Sequence, residues 1–154
     1  MNAKSTIITA LTCMLFAGCG GGSDWKGRAT GQYDLQDGSG SSIEKRSETV
    51  KLEEGMDKHL RLGIDTPLAD CDLKFAPVGP AAGTTGIEYK LQNADGIRCR
   101  STLGRGGAPV DIYLQGGSSV TVTNSGEVTA VIYYGSQSPP EKRTLMFKGQ
   151  KGWF

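Results

Sequence analysis

Alternation of apolar and polar side chains is the main pattern in this chain from residue 25 onward. Cys71, Leu73 and Phe75 alternate with Asp72 and Lys74, which places the apolar side chains on one face of a strand and the charged ones on the other. No segment of comparable length has the period of an amphipathic helix. The same two-residue period predicts further strands at 29–35, 43–52, 60–64, 87–92, 97–101, 110–115, 120–123, 128–134 and 145–149.

Short turns rich in Gly, Asn, Asp and Ser separate these segments, which is typical of antiparallel strands that follow one another as a meander. Because an open sheet exposes two unpaired edges, we expect an all-β fold in which the meander is closed or nearly closed into a small barrel. Two sheets packed as a β-sandwich are the alternative. Charged residues on the second face of most strands favour a soluble domain over a transmembrane barrel.

Three local predictions refine this topology. The connector Asn93-Ala94-Asp95-Gly96 predicts a β-hairpin that pairs Leu91 with Cys99, and Gly116-Gly117 predicts another turn. The uncharged segment 76–86 contains Pro77 and Pro80, so it is expected to be a long loop rather than part of a central strand. The polar segment 43–52 predicts an edge strand or a mostly solvated one.

The N-terminal segment has the features of an export signal. Residues 7–18 form an apolar run that follows Lys4 and is too short to span a bilayer as a helix. The sequence Leu15-Phe16-Ala17-Gly18-Cys19 closes the run and resembles the lipobox of bacterial lipoproteins. The resemblance implies cleavage before Cys19 and acylation of that cysteine; Phe16 departs from the aliphatic residue that is usual at its position.

This interpretation divides the chain into three parts: a helical signal peptide at 1–18, a lipidated cysteine with a flexible Gly/Ser tether at 19–24, and a single all-β domain at 25–154. Two or three acyl chains on Cys19 would anchor the domain stably to a membrane. Gly20 is not the Asp that retains many lipoproteins at the inner membrane. We therefore expect a location in the cell envelope, at the outer membrane.

Charge and cysteine content agree with an exported protein. Removal of Lys4 with residues 1–18 leaves sixteen basic and sixteen acidic residues, so there is no basic excess for nucleic acid. Cys71 and Cys99 are the remaining pair in the domain, and a disulfide is their simplest state in an oxidising compartment. The single histidine, His59, has no ligand-spaced partner, which argues against a metal site; calcium at the three acidic residues Asp65, Asp70 and Asp72 is the alternative.

Candidate chemistry is sparse, and we expect neither an enzyme nor a cofactor. Binding candidates are Arg105, within the glycine-rich turn 104–107, and Tyr113 and Tyr133, on the face opposite the aliphatic stripe. These features favour a membrane-anchored, non-catalytic binding or interaction module with a protein partner in the envelope. The alternatives are a lipocalin-like carrier of a small apolar ligand, in a cavity lined by Leu60, Ile112 and Ile132, or a purely structural envelope component.

Overall fold

A computed structural model describes residues 25–65, 69–92, 99–104 and 108–152. The expected signal helix, Cys19 and the tether lie outside these residues. Within the described ranges no helix is long and apolar enough to cross a membrane. Ten β-strands make up the fold: β1 Trp25–Asp37, β2 Ser42–Glu54, β3 Leu60–Asp65, β4 Ala69–Pro80, β5 Ile87–Leu91, β6 Cys99–Ser101, β7 Val110–Leu114, β8 Ser119–Val122, β9 Glu127–Gln137 and β10 Pro140–Gly152.

The strands form one antiparallel sheet that closes into a ring. The order β10-β1-β2-β3-β4-β5-β8-β9 is completed by pairing of β9 with β10, which gives a circuit of eight strands. We can start at Trp25 and move from each residue to its directly paired partner on the next strand. One circuit of the ring then ends on β1 about ten residues further along the chain, a stagger that closed sheets require. The predicted all-β fold with a closed antiparallel sheet is confirmed.

Two positions in the ring are each occupied by two short strands that lie end to end. β5 and β6 both pair with β4, and β7 and β8 both pair with β9. The predicted hairpin at 93–96 is therefore wrong, because Leu91 pairs with Phe75 while Cys99 pairs with Ile112. The predicted turn at Gly116-Gly117 is present, but the strands that it links, β7 and β8, run in one direction along β9 and do not form a hairpin.

The long loop predicted for 76–86 is shorter than expected, because β4 continues through both prolines to Pro80. Phe75 pairs with the first residue of β3. Beyond Phe75, the only described partner of β4 is β5. A proline on that half of the strand costs no ladder hydrogen bond when its nitrogen lies on the unpaired side. A bulge between Pro77 and Gly79 accommodates the remaining irregularity.

The two ends of the ring differ in the segments they carry. We call the end of the ring where β1 begins the proximal end. It carries the connections 55–59, 81–86 and 123–126. The distal end is the opposite one, with the turns 38–41 and 138–139 and residues 102–104. Pairing of Asp37 with Arg143 brings the β1–β2 and β9–β10 turns together there.

Side chains from all strands fill the interior of the ring. Tyr33, Phe75 and Phe147 are among the largest, each at most 2% exposed, and the rings of Tyr33 and Phe147 meet edge to face at 5.3 Å. Leu60, Ile112 and Ile132, which were expected to line a ligand cavity, are 0%, 6% and 2% exposed and belong to this core. The interior is thus a packed core at these positions.

Candidate functional site

The two tyrosines singled out in the sequence lie side by side on the outer face of the ring. Tyr113 on β7 pairs directly with Gly135 on β9, and Tyr133 precedes that glycine by two residues on the same face. Their exposed fractions are 43% and 37%, high values for aromatic side chains in a sheet. The tertiary structure therefore joins two residues that are twenty positions apart in sequence.

The ring of Tyr113 packs over a glycine, and hydrogen bonds fix the backbone of Tyr133. The phenol oxygen of Tyr113 lies 2.6 Å from the point where a Cβ at Gly135 would stand, so the ring covers the bare glycine. The N–H of Tyr133 donates to Ser118 Oγ at 2.9 Å, and its carbonyl accepts from the N–H of Gln115 at 2.8 Å. The segment linking β7 to β8 thus fixes the strand from which Tyr133 projects.

The tyrosines are part of a larger apolar surface. Met146 on β10 is 38% exposed and pairs with Val131, the next outward residue of β9 before Tyr133. We call Tyr113, Val131, Tyr133 and Met146 the tyrosine surface. Amphipathic aromatic side chains with methionine are enriched at protein–protein contacts, where the rings bury apolar area and the hydroxyls still reach polar partners.

A shallow cleft of about 490 Å³ borders the tyrosine surface on its distal side. Tyr113 forms one wall, and Arg100 and Asp111 contribute opposite charges, with Arg100 Nε 3.7 Å from Asp111 Oδ1. The guanidinium of Arg100 also donates to the carbonyl of Pro109 at 3.1 Å. This cleft offers polar groups beside the apolar surface, as the rim of an interface does.

The remaining predicted site residues have separate outcomes. Cys71 and Cys99 form the expected disulfide, which joins β4 to β6 with Cα atoms 4.8 Å apart, on the core face of the sheet. Arg105 and Cys19 lie outside the described residues, so their proposed roles stay predictions. Asp65 lies directly opposite Asp70 in the β3–β4 register, on the outer face. In the described ranges, no group of three or more His, Cys, Asp or Glu side chains could hold a metal ion.

A charged lining inside the distal end was missed by the sequence analysis. On β2, Glu44, Arg46 and Glu48 share the inward face of Val50 and Leu52, and their side chains are only 26%, 35% and 20% exposed. The strict two-residue spacing back from Val50 was the signal that could have found them. From Ser42 to Val50 the strand has β1 as its only described partner, so the predicted edge character applies to this half of β2.

Charged side chains also lie on the inward face of β10, which flanks β1 on the side opposite β2. Arg143 is in phase with Leu145 and Phe147, and its guanidinium pairs with Glu141 and donates to the carbonyl of Leu103 at 3.2 Å. The two ionic side chains are 5% and 13% exposed. Since Leu103 lies in the connection between β6 and β7, Arg143 ties the described part of that connection to the ring.

Two buried tyrosines lie beneath these charges. Tyr134 Oη is 3.1 Å from Ser101 Oγ, whereas Tyr33 Oη makes no hydrogen bond within the described residues. Burial raises the pKa of Tyr33 far above its usual value, and the nearby charge of Glu48 adds to the effect. Burial also raises the pKa of Tyr134. Both phenols therefore stay protonated at neutral pH.

Both arginines of this charged lining have carboxylate partners. Arg46 pairs with Glu44 and lies 3.6 Å from Glu48 Oε1, and the hydrogen bond that Arg46 donates to Glu44 raises the pKa of Arg46. Paired in this way, the charges close the end of the core. The outward tyrosine surface is therefore the better candidate for recognition.

Comparison with known proteins finds no matching family model, no matching curated protein and no matching solved structure. The fold and the site define the molecule as a closed antiparallel β domain with an aromatic outer surface.

Proposed function

We propose that this protein is a lipid-anchored lipoprotein of the cell envelope whose β domain is a non-catalytic interaction module. The tyrosine surface is the contact for a protein partner, and Cys19 is the acylated residue that holds the domain at the outer membrane. The observation that carries the proposal is the placement of Tyr113 and Tyr133 side by side, each about 40% exposed, on fixed backbone.

Three further features support an interaction module over the alternatives. Packed side chains at Leu60 and Ile132 occupy the interior that a carrier of apolar ligands would need. The Cys71–Cys99 disulfide suits an oxidising compartment. A purely structural component has no need of half-exposed aromatic side chains on its outer face, which cost solubility unless a partner covers them.

The anchor is tested by intact-mass measurement of the protein purified from membranes. We expect a chain that begins at Cys19 and carries the added mass of two or three acyl chains. A Cys19→Ala variant is expected to lose both the acyl mass and the membrane association. A mature chain that starts elsewhere and carries no lipid would overturn the anchor.

The surface is tested by cross-linking in cells with a photoreactive amino acid at position 111. Asp111 has a side chain that is 96% exposed and lies two residues from Tyr113 on the same face. We expect one adduct of defined mass, reduced about tenfold by Tyr113→Ala with Tyr133→Ala, because truncating central aromatic anchors commonly costs this much affinity or more. Thr30→Ala, on the outer face of β1, is the matched control. An adduct that survives loss of both tyrosines contradicts the proposal.

A further inference from the structure

The short connection between Cys19 and the ring limits how far the domain can move from a membrane. β1 begins at Trp25, and residues 20–24 are the only ones between it and the proposed anchor. A fully extended chain advances at most about 3.6 Å per residue, so the start of β1 stays within about 20 Å of the acylated cysteine. The proximal end is therefore the end held near the bilayer. This step rests on the proposed lipidation of Cys19.

The same end carries the most exposed large hydrophobic side chains of the described residues. Met56 is 78% exposed, Val78 56% and Ile87 44%. Met56 lies in the connection 55–59, Val78 at the bulge near the end of β4, and Ile87 at the start of β5. Three exposed apolar side chains gathered at one end of a ring mark a contact surface.

The chain around Val78 and Ile87 is also free of charge. No Asp, Glu, Lys or Arg occurs from Phe75 to Ile87, and none occurs in the connection 123–126. Moving uncharged segments into the headgroup region avoids the large desolvation cost of ionic groups. Such a surface suits contact with a lipid bilayer.

Two basic residues at this end are paired with acidic ones. Lys26 Nζ lies 3.0 Å from Glu53 Oε1, and Lys58 Nζ lies 3.8 Å from Glu54 Oε1. Contact with the bilayer would depend on the apolar side chains and on the anchor.

We propose that the proximal end rests on the lipid bilayer, with Met56, Val78 and Ile87 in the membrane interface. The anchor keeps these side chains at high local concentration near the lipid, so individually weak contacts suffice to orient the domain. The ring then stands on the membrane with the tyrosine surface, which lies toward the distal end, available to a partner.

The experiment uses the lipidated full chain in phosphatidylcholine vesicles that contain a doxyl-labelled lipid quencher. An environment-sensitive fluorophore is attached to a cysteine introduced as Met56→Cys or Val78→Cys. Ile43→Cys is the matched control, since Ile43 is 37% exposed and lies near the distal end. The native cysteines of the mature chain do not compete for label, because Cys71 and Cys99 are oxidised and Cys19 is acylated.

We expect quenching at positions 56 and 78 to exceed that at position 43 at least threefold. Equal quenching at all three positions, on a chain whose intact mass includes the acyl groups, overturns the orientation while the anchor stands. A chain without acyl mass overturns the anchor and this inference with it. The two failures are thus distinguished in one sample.

Discussion

Tyr113 lies across the β7–β9 pair from Gly135, and its phenol ring occupies the space that any larger residue at position 135 would need. Glycine is therefore a determinant of the tyrosine surface although it contributes no side chain. The pair links the fold to the proposed function, because the ring that is presented to a partner is positioned by a residue of the neighbouring strand.

Gly135→Ala should displace the ring of Tyr113. The new Cβ would stand 2.6 Å from the phenol oxygen and 3.0 Å from the backbone oxygen of Glu141, so both must shift. We expect about 1 kcal/mol of destabilisation in urea unfolding and a marked loss of the cross-link from position 111. Gly116→Ala, which meets nothing within 4 Å, is the control. An undiminished cross-link in the folded Gly135→Ala variant would argue against this role.

Gly31→Ala should open the seam between β1 and β10. A Cβ at this position would stand only 2.1 Å from the carbonyl oxygen of Lys148, and backbone cannot move aside without breaking the pairing that closes the ring. We expect a loss of about 3 kcal/mol or more, measured by urea unfolding. Gly38→Ala, whose Cβ would make ordinary contacts at 3.6 Å, should stay within about 0.5 kcal/mol of wild type. Similar stability of the two variants would contradict the tight approach at the seam.

Loss of the disulfide should reduce stability substantially. The bridge closes a loop with a sequence separation of 28 residues, and the loop-entropy model assigns such a cross-link about 3 to 4 kcal/mol. Cys71→Ala with Cys99→Ala should therefore unfold at lower urea concentration than the oxidised protein. Addition of a reductant should lower the midpoint of the wild type but leave the double variant unchanged. If reductant leaves the urea midpoint of the wild type unchanged, the bridge contributes little to stability.

The two buried tyrosines should respond oppositely to removal of the hydroxyl. Tyr33→Phe removes a phenol oxygen that has no hydrogen bond within the described residues, so stability at pH 7 should stay equal or rise by about 1 kcal/mol. Tyr134→Phe breaks the hydrogen bond to Ser101 and should cost about 1 kcal/mol. Urea unfolding of both variants measures the contrast. A larger loss in Tyr33→Phe than in Tyr134→Phe would contradict these assignments.

Alkaline pH should destabilise the protein through Tyr33. Its pKa is raised in the folded state by burial, with a further contribution from Glu48, whereas in the unfolded chain it titrates near 10. The stabilisation is fully present below pH 10 and falls as the pH rises above that value, because the unfolded state releases its proton first. We expect a smaller decrease in the free energy of unfolding between pH 9 and 11 for Tyr33→Phe than for wild type. Equal decreases would exclude Tyr33 as a source.

Arg143→Met should be far more damaging than a comparable change on the outer face. It leaves the carboxylate of Glu141, which is 13% exposed, without this guanidinium and removes the hydrogen bond to Leu103. Removal of one partner of a buried ion pair typically costs about 3 to 5 kcal/mol. Arg61→Met, at an exposed position on β3, should change stability by less than about 1 kcal/mol. Thermal and urea unfolding of the two variants measure the difference.

The amino-acid pattern by itself determined most strands, the inward or outward direction of their side chains, and the cysteine pair. Alternation is a local property, so Leu73 and Phe75 identify the core face of β4 without knowledge of its neighbours. Tyr113 and Tyr133 were placed outside for the same reason. The all-β class and the closure of the sheet followed from the number of such segments and the cost of exposed edges.

Only the tertiary structure decided which strands pair. The turn-like sequence at 93–96 favours a hairpin, but Leu91 pairs with Phe75 on β4 and Cys99 pairs with Ile112 on β7. Those long-range pairs determine the path of the chain. Pro77 likewise lies within a strand because one side of β4 has no described neighbour there. Pairing partners far apart in sequence leave no local signal.

The charged side chains inside the distal end were likewise determined partly by the sequence and partly by the tertiary structure. The spacing of Glu44, Arg46 and Glu48 places them in phase with the core, yet charged residues in a strand indicate solvent until their surroundings are known. The structure resolves this because closure of the sheet turns that face inward and supplies ion pairs that make burial tolerable. Local alternation assigns a face, and only closure of the ring determines whether that face meets water, core or an ion pair.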